Sequence, residues 1–275
     1  MSENGTSIAV ISPLGGAIRQ LLINDFEIIP EFSMAEPLKY VYGHTLAPWP
    51  NRLQDASYEF NGETYSFSDL DAQNNKNHGL LLNEVLEVRS HFKDNVVLGY
   101  RFGNHAGYPF ELDLEVSFAL TESALEVDAK VTNLGGAAPF AIGFHPYLLT
   151  GDEFALTANA TGRSVQNERI LPIGVDPIVS LELNQDSEGL SSLDHCFVGA
   201  SSVSIRRPDG EVVVEALENL PYFMMYRPSD QLAAAGPVIA IEPQSSMANV
   251  FRDNVKSVLL ESAQVKHYRF AIRKL

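Results

Sequence analysis

Residues 111–120 read Glu-Leu-Asp-Leu-Glu-Val-Ser-Phe-Ala-Leu, in which every second side chain is large and apolar. The same alternation returns after a short turn, at Leu125, Val127, Ala129 and Val131. Successive side chains of a β-strand point to opposite faces, so a period of two predicts an antiparallel pair with one buried and one solvated face. This stretch predicts a β-sheet that packs on a hydrophobic core.

Short strand patterns recur along the rest of the chain. Alternating aromatic residues around Asn61-Gly62 predict a hairpin over residues 58–67, because Asn-Gly supplies the positive φ angles of a tight turn. Further strands are predicted at 7–29, 85–88, 96–102, 203–205, 212–214, 222–226, 238–241, 258–260 and 268–272, with a short helix near 230–235. Many short strands and few helices predict an all-β sandwich or barrel. No linker or repeat is visible, so residues 1–275 are predicted to form one domain.

The composition narrows the choice of partners. The chain has 275 residues and a net charge of −16, so it should repel nucleic acid backbones and anionic lipid. Its one cysteine, Cys196, excludes a disulfide framework. No signal-peptide pattern and no apolar run of about 18 residues is present. We therefore expect a cytoplasmic protein that contacts neither nucleic acid nor membrane.

The segment 238–244 reads Val-Ile-Ala-Ile-Glu-Pro-Gln. Its apolar run predicts a buried strand, and Pro243, which has no N–H, is predicted to end the pairing of that strand. Glu242 would then be a partly desolvated carboxylate with a raised pKa, which makes it a better proton acceptor. A structural ion pair with a nearby arginine is the alternative interpretation.

Residues 46–53 read Leu-Ala-Pro-Trp-Pro-Asn-Arg-Leu. The prolines predict a rigid loop that runs over a surface. Trp49 and Arg52 would suit the wall of a sugar pocket, where a flat ring and a forked donor meet hydroxyl groups. A structural aromatic anchor beside a surface arginine is equally compatible with this stretch.

Five short motifs together resemble a known family. They are Pro50-Asn51-Arg52-Leu53, Asn77-His78-Gly79, Gly143-Phe144-His145-Pro146-Tyr147, Leu193-Asp194-His195-Cys196-Phe197 and Ile241-Glu242-Pro243-Gln244. In this order they resemble the successive motifs of the aldose 1-epimerases, the galactose mutarotases. The Pro-Trp-Pro-Asn-Arg form and His78-Gly79-Leu80 are most similar to a shorter bacterial subgroup, a difference that bears on which sugar is bound.

The resemblance implies a fold, an activity and a set of roles. The fold would be a large antiparallel β-sandwich of the galactose mutarotase-like supersandwich type, with a sugar cleft across one sheet. Glu242 would be the general base and His145 the general acid, with His78 on the ring-oxygen side. Arg52 and Asp194 would hold sugar hydroxyls, with Asn51 and Trp49 beside them. The family needs no metal or organic cofactor, and we expect a monosaccharide as partner of a monomer or homodimer.

These residue types suit mutarotation, an isomerase reaction. One group takes the proton of the anomeric hydroxyl while another protonates the ring oxygen as the ring bond breaks. A carboxylate and an imidazolium facing each other across the sugar can do both, and each positioned proton transfer is worth roughly 100- to 10,000-fold in rate. Either form of histidine is accessible near its ordinary pKa of about 6.5.

Four other functions fit parts of the same pattern. His78, His145 and Glu242 could bind zinc, although the usual helical spacing is absent. Asp194 and Glu242 could be the paired carboxylates of a glycosidase. The scaffold could bind sugar without catalysis, or could epimerise a phosphorylated or sulfonated sugar. By contrast, Asp194, His195 and Cys196 cannot form a local triad, because adjacent strand residues face opposite ways.

Overall fold

The computed structural model describes residues 7–32, 41–228 and 236–275. The short helix predicted near 230–235 lies outside the described residues. The described strands, in chain order, are β1 (Ile8–Ser12), β2 (Ala17–Ile23), β3 (Phe26–Ile29), β4 (Thr45–Leu46), β5 (Arg52–Gln54), β6 (Ser57–Phe60), β7 (Glu63–Ser66), β8 (Asn75–Asn77), β9 (Glu87–His91), β10 (Asn95–Arg101), β11 (Leu112–Leu120), β12 (Ala124–Asn133), β13 (Ala138–Pro139), β14 (Gly143–Phe144), β15 (Tyr147–Leu149), β16 (Ala155–Ala158), β17 (Gly162–Gln166), β18 (Pro172–Pro177), β19 (Leu181–Asn184), β20 (Asp194–Val198), β21 (Ser202–Arg207), β22 (Gly210–Glu218), β23 (Tyr222–Tyr226), β24 (Val238–Gln244), β25 (Leu259–Leu260) and β26 (Val265–Lys274). Helical structure in these ranges is confined to one α-helix, α1 (Val250–Asp253), and 3-10 turns at Leu81–Asn83, Leu190–Ser192 and Val255–Val258.

Two large sheets dominate the described part of the chain. The nine-stranded sheet has the order β19-β16-β21-β22-β26-β12-β11-β10-β9. The eight-stranded sheet has the order β18-β17-β20-β23-β24-β14-β4, with β15 also paired to β24. The named strand pairs in both sheets are antiparallel. The predicted all-β antiparallel class is therefore confirmed.

The alternating stretch at residues 111–131 lies inside the nine-stranded sheet. In β11, Leu112, Leu114 and Val116 are fully buried, and the residues between them are half-buried. On the solvated face of the sheet, Arg89 donates hydrogen bonds from both terminal nitrogens to Asp113 of β11. The period-two pattern thus predicts both the strand and its buried face.

The core lies between the two large sheets. Phe144 of β14 packs on Phe270 of β26 with ring centroids 4.7 Å apart, and Phe140 packs on Tyr268 at 6.0 Å. Buried side chains from residue 18 to residue 272 join in one hydrophobic cluster. The eight-stranded sheet therefore uses one face for the core, which leaves its other face for a site.

Strand β24 continues through Pro243 to Gln244, so the prediction that pairing stops at the proline is wrong. Ile241 donates its N–H to the carbonyl oxygen of Pro146 over 3.1 Å, on the β14–β15 side. Residues two apart in a strand bond towards the same neighbour, so the missing N–H of Pro243 faces that side too. There the neighbouring strand is interrupted, because His145 and Pro146 lie between β14 and β15.

The loop predicted to run over a surface is instead buried. Residues 42–51 are buried throughout, and their backbone is bonded to neighbouring loops. Leu80 donates its N–H to the carbonyl oxygen of Ala47, and Ala141 donates to that of Pro48. The prolines therefore shape an internal loop whose carbonyl groups are satisfied by the chain on either side.

Candidate active site

A cavity of about 350 Å³ opens on the face of the eight-stranded sheet that points away from the core. Core residues such as Ile241 and Phe223 occupy the opposite face, and the strand period of two turns Glu242 towards the cavity. The volume lies at the lower end of the range for small-ligand pockets, roughly 300–1,000 Å³. Six of the seven side chains predicted for the site line it: Asn51, Arg52, His78, His145, Asp194 and Glu242.

Glu242 and His145 are in direct contact. Glu242 Oε1 lies 3.2 Å from His145 Nε2, and the two side chains are 2% and 6% exposed. The other carboxyl oxygen, Oε2, accepts a hydrogen bond of 2.9 Å from the amide nitrogen of Gln244. The His145 ring is stacked on Tyr147, with centroids 4.9 Å apart. Strand β24 fixes the carboxyl group, and the interruption between β14 and β15 brings the imidazole beside it.

Burial opposes charge on both members of this pair. It raises the pKa of Glu242 well above its usual value, the nearby Asp194 raises it further, and Gln244 and Arg52 oppose the change. Burial lowers the pKa of His145 to about 3. A protonated Glu242 beside a neutral His145 holds the same single proton as a carboxylate beside an imidazolium. Moving that proton from Glu242 to His145 converts a neutral pair into an ion pair without changing the net charge.

The expected arrangement of acid and base on opposite sides of a sugar is wrong for this structure. A separation of 3.2 Å between His145 Nε2 and Glu242 Oε1 leaves no room for a ring between them. The pair instead presents two adjacent proton-exchanging atoms at one wall of the cavity. In a pyranose the anomeric oxygen and the ring oxygen are both bonded to C1, so two adjacent groups suit them.

Asn51 and His78 hold each other across the cavity wall. The His78 backbone N–H donates to the Asn51 carbonyl oxygen over 2.9 Å, and the Asn51 N–H donates to His78 Nδ1 over 3.2 Å. Both residues have left-handed backbone conformations, with φ of 58° and 59°. Because Nδ1 accepts, the proton of the neutral imidazole resides on Nε2. Burial, with the neighbouring His145 and Arg52, lowers the pKa of His78, so this ring is a neutral donor.

Arg52 is held between two carboxylates. Its Nη2 lies 3.9 Å from Asp194 Oδ2, and its Nε lies 3.9 Å from Asp71 Oδ2. Asn51 Oδ1 accepts hydrogen bonds from the Arg52 backbone N–H over 2.8 Å and from its Nη1 over 3.1 Å. Burial raises the pKa of Asp194, and Arg52 opposes that rise. This arrangement sets a forked donor beside a carboxylate acceptor, the pairing that sugar hydroxyls need.

Trp49 does not reach the cavity, so its predicted place in the pocket wall is corrected. The side chain is 1% exposed and packs against Phe67 and Phe251, with centroids 5.1 Å and 5.5 Å away. A large aromatic ring gains more by burial in such a cluster than at a polar wall. The structural-anchor alternative describes Trp49, while Arg52, three residues on, does line the cavity.

Sequence reasoning missed seven cavity residues. Asn77 and Tyr147 stand in two of the quoted motifs, but the seven residues share no common one. They lie in three loops and three strands: Val41, Gln73, Asn77, Tyr147, Ile170, Met224 and Tyr226. Strand parity predicts two of them once the pairing is known, since Met224 lies opposite Glu242 and Tyr226 opposite Asp194. Val41 and Ile170 have a φ of 57°, which is unusual for β-branched residues and tends to occur at functional sites.

Three further observations bear on other functions. Among residues 7–32, 41–228 and 236–275, no group of three or more His, Cys, Asp and Glu side chains could hold a metal ion. No helix in the described part of the chain is both long and apolar enough to cross a membrane. Cys196 is buried, which raises the pKa of its thiol and disfavours the thiolate that a nucleophilic cysteine needs.

Solved structures with the same fold include several sugar-epimerase relatives. A GalM/aldose epimerase homologue from C. elegans matches with a TM-score of 0.86 at 17% identity, covering 100% of this chain and 97% of that one. A putative aldose 1-epimerase from Escherichia coli K12 matches with a TM-score of 0.83 at 18% identity, covering 100% and 97%. A galactose 1-epimerase from Lactobacillus acidophilus NCFM matches with a TM-score of 0.81 at 15% identity, covering 99% and 92%. The predicted galactose mutarotase-like fold is confirmed.

Sequence comparison identifies the family. The chain is 27% identical over 279 residues to the uncharacterized protein YihR of Escherichia coli (strain K12), covering 96% of this chain and 89% of that protein. The family model described as aldose 1-epimerase matches residues 1–273, nearly the whole sequence. The chain therefore belongs to the aldose 1-epimerase family.

Proposed function

We propose that this protein is an aldose 1-epimerase that interconverts the α and β anomers of a free aldose. The observation that carries the proposal is the buried contact between His145 Nε2 and Glu242 Oε1 at the wall of a polar cavity. Strongly shifted pKa values at adjacent groups in a cleft are typical of acid–base catalysis. Family membership supports the same isomerase class.

In this proposal Glu242 takes the proton of the anomeric hydroxyl as the C1–O5 bond breaks. The electron pair of the O–H bond forms the C1 carbonyl, and His145 gives a proton to the departing ring oxygen. Rotation about the C1–C2 bond then presents the other carbonyl face. Reclosure runs both transfers backwards, so the pair ends each cycle with the one proton with which it began. No covalent intermediate is needed.

The remaining groups would orient the sugar. Neutral His78 can donate from Nε2 to an oxygen near the reacting centre, because Asn51 holds its Nδ1 as an acceptor. Arg52 and Asp194 supply a donor and an acceptor for ring hydroxyls. Holding the sugar in one orientation contributes to the rate of such reactions, because the reacting oxygens are then already positioned beside the acid and the base.

We propose a neutral sugar rather than a phosphorylated or sulfonated one. Arg52 is the only arginine or lysine among the described residues that line the cavity. Two carboxylates, Asp71 and Asp194, already lie 3.9 Å from its nitrogens and offset its charge. An anionic substituent placed there would meet carboxylates as well as the guanidinium, which disfavours it.

A panel of free aldoses tests the proposal. Single anomers of galactose and glucose, freshly dissolved, should reach anomeric equilibrium faster in proportion to added protein, as followed by polarimetry or NMR. The methyl glycosides should be inert, because their anomeric oxygen carries no proton. Cleavage of a methyl glycoside would indicate hydrolysis instead. If folded protein accelerates none of the aldoses over the spontaneous rate, the proposal fails.

A further inference from the structure

We propose that Gln244 is a positioning residue that fixes the Glu242 carboxyl group, so that Oε1 alone exchanges protons with the substrate and with His145. The inference rests on the proposed function for the importance of that proton exchange. Gln244 itself is not placed in contact with the reacting atoms. Its role is exerted entirely through Glu242.

The geometry supports this role directly. Gln244 lies two residues after Glu242 on β24, so both side chains emerge from the same face of the strand. The Gln244 amide nitrogen donates to Glu242 Oε2 over 2.9 Å, while Glu242 Oε1 faces His145. The Gln244 side chain is 1% exposed, so water does not compete for the bond. The two carboxyl oxygens therefore have different partners and different tasks.

The fold reserves space for this amide. Gly143 of β14 is the cross-strand partner of Gln244. A Cβ atom at Gly143 would lie 2.9 Å from Gln244 Cγ and 2.9 Å from Pro50 Cβ, closer than real Cβ contacts. Glycine at this position thus permits the close approach that seats the amide against the carboxyl group. The same arrangement provides a second way to disturb Gln244 without changing it.

An amide –NH₂ group can only donate, and this determines which carboxyl oxygen of Glu242 carries the proton when the group is protonated. A proton on Glu242 Oε2 would point at the N–H that Oε2 accepts, so a protonated Glu242 carries its proton on Oε1. Because the amide donates to the carboxyl oxygen, it also stabilises the ionised form. The other titratable or charged side chains that act on Glu242 are His145, Asp194, Arg52, Cys196 and Tyr147. Gln244 differs from all of them because it has no charge of its own and does not titrate.

The pair of Glu242 and His145 titrates as one unit. This coupling determines in which direction the pH–rate profile moves when the Gln244 amide is removed. Removing the amide donor destabilises every state that contains the carboxylate. The limb of the pH–rate profile on which the carboxylate is formed must then move to higher pH, and neither limb can move to lower pH. A hydrogen bond to a charged group predicts a movement of about one pH unit or more.

The test compares Gln244→Met with two other variants. Met keeps the length of the side chain but removes the donor, so kcat should fall by about tenfold or more, KM should change little, and the profile should move to higher pH. Gly143→Ala should move it the same way by displacing the amide. Ile241→Val, on the core face of the same strand, should lower the melting temperature without moving the profile. A Gln244→Met profile that superimposes on that of the wild type would overturn the inference.

Infrared titration of the Glu242 carboxyl band gives a readout that needs no turnover. In Gln244→Met the band of the protonated acid should persist to higher pH than in the wild type, with Glu242→Gln identifying the band. Identical titrations would overturn the role of Gln244 even if the protein is an active epimerase. Absence of turnover by the wild type would contradict the proposed function, while the infrared titration would still decide the inference.

Discussion

At the scale of single residues, His145 joins the chemistry to the fold, because its imidazole contacts Glu242 while its backbone interrupts a strand. His145→Asn keeps a polar side chain but removes the group that protonates the ring oxygen. We expect kcat for anomer exchange to fall by about 100-fold, the usual loss when a positioned acid is deleted. Polarimetry at saturating sugar measures this, with the melting temperature as the control for folding. A folded variant with near-normal kcat would remove His145 from the mechanism.

Asn51 offers a matched pair of substitutions. Its Oδ1 accepts two hydrogen bonds from Arg52, so Asn51→Ala releases the guanidinium and also places alanine at a φ of 58°. Asn51→Asp keeps an acceptor at the same position and a residue type that tolerates this conformation. We expect kcat/KM to fall by about tenfold or more in the Ala variant and by less in the Asp variant. Equal kinetics for both variants would show that Oδ1 does not position Arg52.

Residue chemistry predicts some site residues from the sequence and not others. Glu242, His145 and Asp194 stand in short motifs, so their place in the cavity could be predicted. Trp49 stands in such a motif too, yet it is buried in an aromatic cluster. Asn77 carries no catalytic signal, although its Oδ1 is a buried acceptor without a partner among the described residues. A motif identifies a loop, while tertiary packing decides which of its side chains turn inward.

At the scale of elements, the pairing of β24 predicts a small loss of stability when Pro243 is removed and a large loss when a proline is introduced at Ile241. Pro243→Ala should cost about 2 kcal/mol or less, because the proline breaks no ladder bond and the change removes only two buried ring carbons and its restriction of the unfolded chain. Ile241→Pro should cost about 3 kcal/mol or more, because Ile241 donates to Pro146. Urea denaturation of both variants measures the difference. Equal losses would show that the interruption beside His145 does not accommodate Pro243.

The same scale shows where sequence patterns succeed and fail. The hairpin at 58–67 forms as β6 and β7, because Asn61 and Gly62 adopt the positive φ angles that their residue types favour. Strands β16 to β19 were not predicted. In β18, for example, two prolines and a glycine lie among mostly exposed residues, so neither alternation nor burial marks the strand. Such strands form because they pair with neighbouring strands, and a local sequence pattern carries no information about that pairing.

At the scale of the whole molecule, buried histidines make stability depend on pH. Burial lowers the pKa of His44 to about 4, whereas the unfolded chain restores it to about 6.5. The unfolded state therefore binds the proton first, and the stability contributed by neutral His44 is lost as the pH falls from about 6.5 to about 4. The loss is about 3 kcal/mol from His44 alone.

His44→Asn checks this dependence. Asn can keep the hydrogen bond that His44 Nδ1 donates to the Tyr42 carbonyl oxygen over 3.0 Å, but it does not titrate. We expect the variant to be less stable than the wild type near neutral pH and to lose less of its stability in acid. Free energies of unfolding from urea titrations at about pH 7 and about pH 4 give the comparison. Parallel losses in both proteins would contradict the assignment.

The most direct test of the central claim is the anomer exchange rate of Glu242→Gln, measured by NMR at equilibrium on the preparation used for its melting temperature. The variant keeps the size of Glu242 and its hydrogen-bonding capacity but cannot accept a proton. We expect sugar affinity close to that of the wild type, because Arg52 and Asp194 are unchanged, and a rate lower by about 100-fold or more. A folded Glu242→Gln protein that exchanges anomers at nearly the wild-type rate would contradict the account.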